Sequence, residues 1–327
     1  MSERAGVSRA TASLVLRGSP RVSAATAERV RRAMVELGYV YDRAAANLRQ
    51  SRSMTVGLVM TDLANPFFAE LTVALEEVVH KAGYNLFLGY TRDDLTRQRE
   101  ILSAMIEHRV DGICLLPAKG TSDADLQPLI AHDIAHVLFT RHLRAERAYV
   151  GADNVEAGRM LGRHLLSIGV RTAAFLGGQE VSSRQERLQG LSQACGDAIE
   201  WAAGEPIYSA ASPSGGAAAV EQLLASGAVP DCIVAYNDIV AMGVSSALRR
   251  AGIAPGEHVA VASFDDIQLA AEQVPPLTSV ATHAPLVGVA CADRLLALIA
   301  GTDSGPQRHL ITPALRVRAS TGAWRPR

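Results

Sequence analysis

Two kinds of hydrophobic spacing divide the chain. Residues 1–40 carry apolar side chains at helical intervals and hold no strand-like run. Ser8 is placed to cap a helix over residues 9–16, where Ala12, Val15 and Leu16 recur at helical spacing, and Gly18, Ser19 and Pro20 stop it. Ser23 caps a second helix with a stripe of Ala27, Val30, Ala33, Met34 and Leu37 that ends at Gly38. Residues 42–53 (DRAAANLRQSRS) are polar and arginine-rich, interrupted only by Leu48. Such a stretch cannot bury enough surface to fold alone and reads as a linker.

Beyond Met54 the period changes. Strand-like apolar runs occur at 55–61, 85–90, 112–117, 136–140, 172–177, 232–236, 259–264 and 277–282. Between most of them lie amphipathic stretches at 67–82, 95–109, 154–168, 184–195, 215–226, 238–251 and 285–300. Strands apolar on both faces, alternating with helices, specify parallel sheets covered by helices. Eight or more strands over about 270 residues suit two doubly wound lobes better than one. The expected organisation is a helical module at 1–41, a linker at 42–53 and an α/β body at 54–327. Ligands of such folds bind beyond the carboxyl ends of the strands. Polar residues at those ends are therefore candidates: Asp62, Asn65, Arg141, Asp153, Asn237, Asp238, Asp265 and Asp266.

Charge sharpens the division. The 327 residues are 48% hydrophobic, ample for packed cores, and carry a net charge of −1. Residues 1–52 hold ten arginines against Glu3, Glu28, Glu36 and Asp42, which is +6; the other 22 basic and 29 acidic residues leave −7. A basic end on an acidic body points to a polyanionic partner for that end, although a solvated charged helix has the same composition. Cys114, Cys195, Cys232 and Cys291 are far apart without a CxxC, and three sit in apolar runs as small buried hydrophobes, which suits a reducing compartment. No apolar run reaches membrane-spanning length, and MSERAGVSRA has no signal-peptide core, so the expected location is the cytoplasm. An enzyme is not expected: GxxxxGK[ST], GxSxG and a strand-following GxGxxG are missing. His132 and His136 lack the glutamate of a zinc-protease helix, and neither metal nor cofactor is called for.

The segment from Ala5 to Ser13 fits the turn and second helix of a helix-turn-helix. Gly6 permits the turn, Val7 packs inward and Ser8 caps a helix whose first residues would enter the major groove. Arg9 suits a guanine edge, Ala10 and Leu14 suit contact with a thymine methyl, and Thr11 and Ser13 suit phosphates. A capped surface helix would show the same short pattern. The longer run does not: AGVSRATASLVLRGSPRVSAATAERVRRAMVELGYVYDRAAANLR, continuing into TVGLVMTDLANPFFAEL, resembles the lactose-repressor family of bacterial regulators over nearly the whole chain.

The resemblance implies a small all-α helix-turn-helix headpiece, then a two-lobed periplasmic-binding-protein-like (type I) body with doubly wound parallel sheets. It implies a homodimeric repressor of a pseudo-palindromic operator, controlled by a small-molecule effector, a sugar, held between the lobes. In the family a hinge segment enters the minor groove and a leucine wedges a base step; the matching leucine is Leu48, with Asn47 beside it on the DNA, the alternative being a Leu48 tucked against the body. Family members carry residues ahead of Met1 that complete the first helix, so a start upstream is expected, the alternative being a shortened helix and weak DNA binding. Effector residues carried over are Asn65, Phe67 and Phe68 after the first strand, and Ser183 and Arg187 in SSRQERLQG. Asn237, Asp265 and Arg141 complete the set, with His283 either entering the cleft or serving a hinge. Thr140 stands where an aspartate is common. Chain crossings are expected near Asp153, His283 and Pro313, and Arg184 is expected as a surface charge. Asp238 and Asp266 are expected to cap helices or bind backbone. A stand-alone solute-binding protein is the alternative, and the basic headpiece argues against it.

Overall fold

A computed structural model describes residues 1–16, 19, 21–39, 52–143, 147–202, 206–303 and 307–326. It separates into two compact units, Met1–Ser53 and Met54–Arg327. In the first unit, Met1–Ala5 form one helical turn, with the Ala5 amide on the Met1 carbonyl at 3.0 Å. Gly6, at φ +61°, closes that turn by letting its own amide and that of Val7 reach the carbonyls of Glu3 and Ser2. Helix α1 (Arg9–Leu16) starts on Ser8, whose Oγ accepts from the Thr11 amide at 3.0 Å. Helix α2 (Ala24–Glu36) starts on Ser23, which accepts from the Thr26 amide. Each such cap contributes about 1 kcal/mol. The core is small: Ala5, Val30 and Ala33 are buried, with Met1, Val7, Val15 and Met34 packed against them.

The second unit is built from two six-stranded sheets. The first lobe contains β1 (Thr55–Met60), α3 (Pro66–Lys81), β2 (Asn85–Tyr90), α4 (Leu95–Glu107), β3 (Gly112–Leu115), α5 (Asp123–Ala131), β4 (Ala135–Phe139) and β5 (Tyr149–Ala152). The second contains α6 (Asn154–Ser167), β6 (Thr172–Leu176), α7 (Ser182–Cys195), β7 (Glu200–Trp201), α8 (Pro213–Ala225), β8 (Cys232–Ala235), α9 (Asp238–Arg250), β9 (Ala260–Asp265), α10 (Gln268–Ala271) and β10 (Thr278–Ala281). The chain then returns through α11 (Ala284–Ala300), which packs on α3, and β11 (Arg308–Ile311), which pairs parallel to β5. Finally β12 (Ala314–Arg316) pairs antiparallel to β10, and α12 (Ala319–Gly322) follows. Sheet orders are β11-β5-β4-β3-β1-β2 and β12-β10-β9-β8-β6-β7. The chain therefore passes between the lobes after β5, after β10 and after β11.

The spacing rule finds the long elements and misses the short ones. Strands β5, β7, β11 and β12 and helices α5, α10 and α12 lie outside the expected runs. The inner strands β3, β5, β8, β9 and β10 are buried throughout, as two-sided cover requires, whereas edge strand β2 leaves Phe87 and Leu88 half exposed. Helices α6 and α7 cross closely through facing glycines. A methyl on Gly158 would collide with the Arg187 carbonyl, and one on Gly190 with the Val155 carbonyl. This close approach sets α7, and with it Arg187, against the start of α6.

Asp238, the first residue of α9, is fully buried and anchors the turn after β9. Its Oδ1 accepts from the hydroxyls of Ser263 and Ser279, and its Oδ2 from the Ile267 amide at 2.9 Å. Ser279 Oγ in turn accepts from the Asp266 amide at 3.0 Å. These bonds hold Asp265 (φ +108°) and Asp266 (φ +54°) in backbone conformations that L residues rarely adopt. Arg318 adds an ion pair to Asp266 at 2.7 Å. Asp238 thus binds backbone, while Asp266 is held by arginines.

Gly190→Ala should cost about 1–3 kcal/mol through forced separation of α6 and α7; an unchanged thermal midpoint would refute the close-approach reading. Burial raises the Asp238 carboxyl from 3.8 to about 7, with the nearby Asp265 charge adding to it. The folded protein then holds a proton that the unfolded chain has lost. This contribution to stability is full below the unfolded value and disappears as pH rises through about 7. Asp238→Asn keeps an acceptor for Ile267 and donors for the serines, so it should flatten the fall in melting temperature from about pH 5 to 8. Equal slopes for parent and variant would contradict the buried-acid account.

Candidate effector cleft

Both sheets point strand carboxyl ends at one cavity of about 350 Å³, within the range of small-molecule sites of about 300–1,000 Å³. In each sheet the chain leaves its first strand in opposite directions, from β1 to β2 and β3, and from β6 to β7 and β8. That reversal opens a crevice at the strand ends. The first lobe contributes Thr61, Asp62 and Asn65 after β1, Tyr90, Arg92 and Asp93 at the end of β2, and Thr140 and Arg141 after β4. The second contributes Gln179 after β6, Ser212 before α8, Tyr236 and Asn237 after β8, and Asp265 at the end of β9. Phe67 and Phe68, at the start of α3, form an apolar wall with ring centroids 5.2 Å apart and nearly perpendicular.

The most buried charge in the cavity wall is Arg187 on α7, only 5% exposed. Its Nη2 donates to Asp265 Oδ1 at 3.1 Å, its Nε to Asn154 Oδ1 at 3.0 Å, and its Nη1 to the Tyr236 carbonyl. The guanidinium also lies over the rings of Phe264 and Tyr236, 4.7 and 5.1 Å from their centroids. Burial raises the Asp265 carboxyl, while the Arg187 charge and hydrogen bonds from Arg187, Asn65 and Thr282 oppose that shift. At the opposite wall Arg141 pairs with Asp93, both its Nη atoms facing the carboxylate, and its Nη1 also donates to the Pro117 carbonyl at 3.1 Å. Thr140, at φ +60°, is strained for a β-branched residue, and its buried Oγ1 has no partner among the described residues.

Asn65, Phe67, Phe68, Arg141, Arg187, Asn237 and Asp265 all come to the cavity wall. Asn65 and Asn237 each spend their amide oxygen on capping, α3 through the Phe67 amide and α9 through the Val240 amide. The Asn65 amide also bonds Asp265, whereas the Asn237 NH₂ and the second lone pair of its oxygen remain for an occupant. Ser183 stands behind the wall, its Oγ 3.0 Å from the Tyr236 hydroxyl. His283 sits at the crossing between β10 and α11 with φ +55° and is not among the residues that line the cavity, which suits the hinge alternative. Arg184 is corrected: at 1% exposed it is no surface charge. Its Nε donates to the Gly177 carbonyl at 3.0 Å and its guanidinium lies 3.8 Å from the Tyr208 ring centroid.

Tyr90, Arg92, Asp93, Gln179, Ser212 and Tyr236 were not singled out from sequence. Most of them follow the end of a strand, so the strand-end rule applied to every strand would have reached them. In the N-terminal unit Arg9 and Ala10 are exposed at the start of α1, and Thr11, Ser13 and Leu14 are partly covered. Ser8 Oγ lies 2.9 Å from Thr11 Oγ1, so both hydroxyls are engaged in the cap. Asn47 and Leu48 lie outside the described residues.

Residues 2–42 match the model of bacterial regulatory proteins of the lacI family, and residues 163–321 match a periplasmic binding protein-like domain. The maltose regulon regulatory protein MalI of Escherichia coli is 34% identical, over 96% of this chain and 95% of its own length. The transcriptional regulator CelR of Thermobifida fusca is 32% identical, over 97% and 95%. A solved CelR–cellobiose complex superposes with a TM-score of 0.75 at 31% identity, covering 98% of both chains. The lac repressor dimer bound to operator and an anti-inducer shares the fold at a TM-score of 0.85 and 24% identity, over 98% of this chain and 97% of that one. Among the described residues no helix is long and apolar enough to cross a membrane. These relatives are regulators rather than enzymes, and the chain belongs to the lacI family of DNA-binding transcription regulators.

Proposed function

We propose that the protein is a cytoplasmic, homodimeric repressor whose operator affinity is set by a neutral sugar in the cleft. The observation that carries the choice of ligand is the charge balance of the cavity wall. Three arginines (Arg92, Arg141, Arg187) face three aspartates (Asp62, Asp93, Asp265), and two pairs are joined in the wall itself. A charged occupant would leave one partner of a buried pair uncompensated, which is costly. A neutral polyhydroxyl compound can donate to carboxylates and accept from NH₂ groups and guanidinium without breaking either pair. Phe67 and Phe68 suit the apolar face of a sugar ring, and the Thr140 hydroxyl offers an unclaimed hydrogen-bonding position. The CelR relative with cellobiose supports the same class.

The exposed start of α1, with Arg9 and Ala10 leading, is the segment proposed to read bases, and the hinge residues Asn47 and Leu48 are proposed to act in the minor groove. Four buried, unpaired cysteines support a reducing compartment.

A thermal-shift screen of neutral mono- and disaccharides, cellobiose and maltose included, should find a sugar that raises the melting temperature. Charged ligands giving the only shifts would overturn the sugar reading. Asp265→Ala should abolish that shift and the effect of the sugar in gel-shift titrations, with operator binding retained. Arg9→Ala should weaken operator binding by about 1–3 kcal/mol and relax preference at one base pair; equal losses on operator and random DNA would remove it from base recognition.

A further inference from the structure

We infer that Glu186 ties the two lobes of the body together and thereby sets how readily the cleft closes on its effector. The inference rests on the reading of the cleft as an effector site, but the tie itself is made by protein groups alone. Glu186 lies on α7 of the second lobe, next to Arg187, with its side chain 16% exposed. Its Oε1 accepts from two groups of the first lobe: His142 Nε2 at 2.9 Å, just after β4, and Arg308 Nη2 at 2.9 Å, at the start of β11. Its Oε2 accepts from Asn154 Nδ2 at 3.3 Å, where the chain crosses after β5. The same helix makes a second bond across the gap, Ser182 Oγ accepting from the His142 amide at 3.0 Å.

The first-lobe donors are held in place. The His142 ring meets Tyr149 edge-on at 5.4 Å, and the Arg308 guanidinium lies 5.3 Å from the centre of the same ring. Both ring nitrogens of His142 face oxygens, Nδ1 being 3.1 Å from the Leu143 carbonyl. Burial works to raise the Glu186 carboxyl, but the hydrogen bonds and charges of His142 and Arg308 outweigh it and hold the group below its ordinary value of 4.5. Charge-assisted bonds in a site shielded from solvent are worth more than exposed ion pairs. The tie also reaches the cleft. One rigid amide, Asn154, accepts from Arg187 through Oδ1 and donates to Glu186 through Nδ2. Its plane cannot turn to suit one neighbour without disturbing the other.

The test is double electron–electron resonance on the full-length protein labelled at Glu100→Cys in α4 and Gln222→Cys in α8, both exposed. The four native cysteines are buried, away from the label. Glu186→Gln should raise the population of a longer, lobe-open distance about tenfold over the parent. Arg308→Ala, at a half-exposed position that spares the core, should do the same. The double variant should add less than the sum, because both act through one contact. Parent-like distance distributions in Glu186→Gln and Arg308→Ala would overturn the inference, whatever sugar binds. If both variants open the lobes but no sugar stabilises the parent, only the effector reading falls.

Discussion

A guanidinium buried where two parallel sheets aim their carboxyl ends at each other is the constraint around which the body is arranged. Taking an ion out of water costs several kcal/mol unless partners of good geometry replace the solvent. Arg187, positioned by its own helix, finds those partners on three separate segments: the end of β9 through Asp265, the start of α6 through Asn154 and the end of β8 through Tyr236. Each segment must be in register for the charge to be satisfied. The glycine pair between α6 and α7 brings Arg187 within reach of Asn154, and the Asp238 anchor fixes the strained turn that presents Asp265. Packing and polar geometry therefore specify one another in the second lobe.

The N-terminal unit relies on a different balance. Its core of Ala5, Val30 and Ala33 is too small to supply much hydrophobic stabilisation. Local devices carry a larger share: serine caps at both helices, glycine-closed turns at Gly6 and Gly38, and the exposed Arg4–Glu36 pair at 2.8 Å. The ten arginines of residues 1–52 repel one another in the absence of an anion, so a polyanionic partner relieves a cost as well as adding contacts.

Much of this was legible in the sequence, and the illegible parts have physical causes. Ser8 and Ser23 announced the helices of the N-terminal unit because a cap is a local interaction between residues three apart. Asp265 and Asn237 were found because strand ends are read from the run that precedes them. Arg184 was misread because its cover, Tyr208, comes from a loop more than twenty residues away, and nothing local distinguishes it from a solvated arginine. Strands β11 (RHLI) and β12 (ALR) escaped because they are short edge strands with little apolar content, held by pairing with β5 and β10. His283 was left between cleft and hinge because its place after a strand suits both, and its left-handed backbone turns the chain into α11.

A wall assembled from both lobes makes regulation a matter of thermodynamics rather than of a special pathway. An occupant that bonds Arg141 or Asn65 on one side and Arg187 or Asp265 on the other makes all of its contacts only when the lobes are together. It therefore binds the closed arrangement more tightly, and the ratio of the two affinities is the whole of its leverage. A coupling of about 1–3 kcal/mol between such a ligand and a second site corresponds to roughly a 5–150-fold change in affinity, felt equally in both directions. Bonds between protein groups of the two lobes, such as those at Glu186, set the starting population on which that leverage acts. If they were too strong, a sugar would find nothing left to shift; if they were too weak, much of its binding energy would go into closing the cleft.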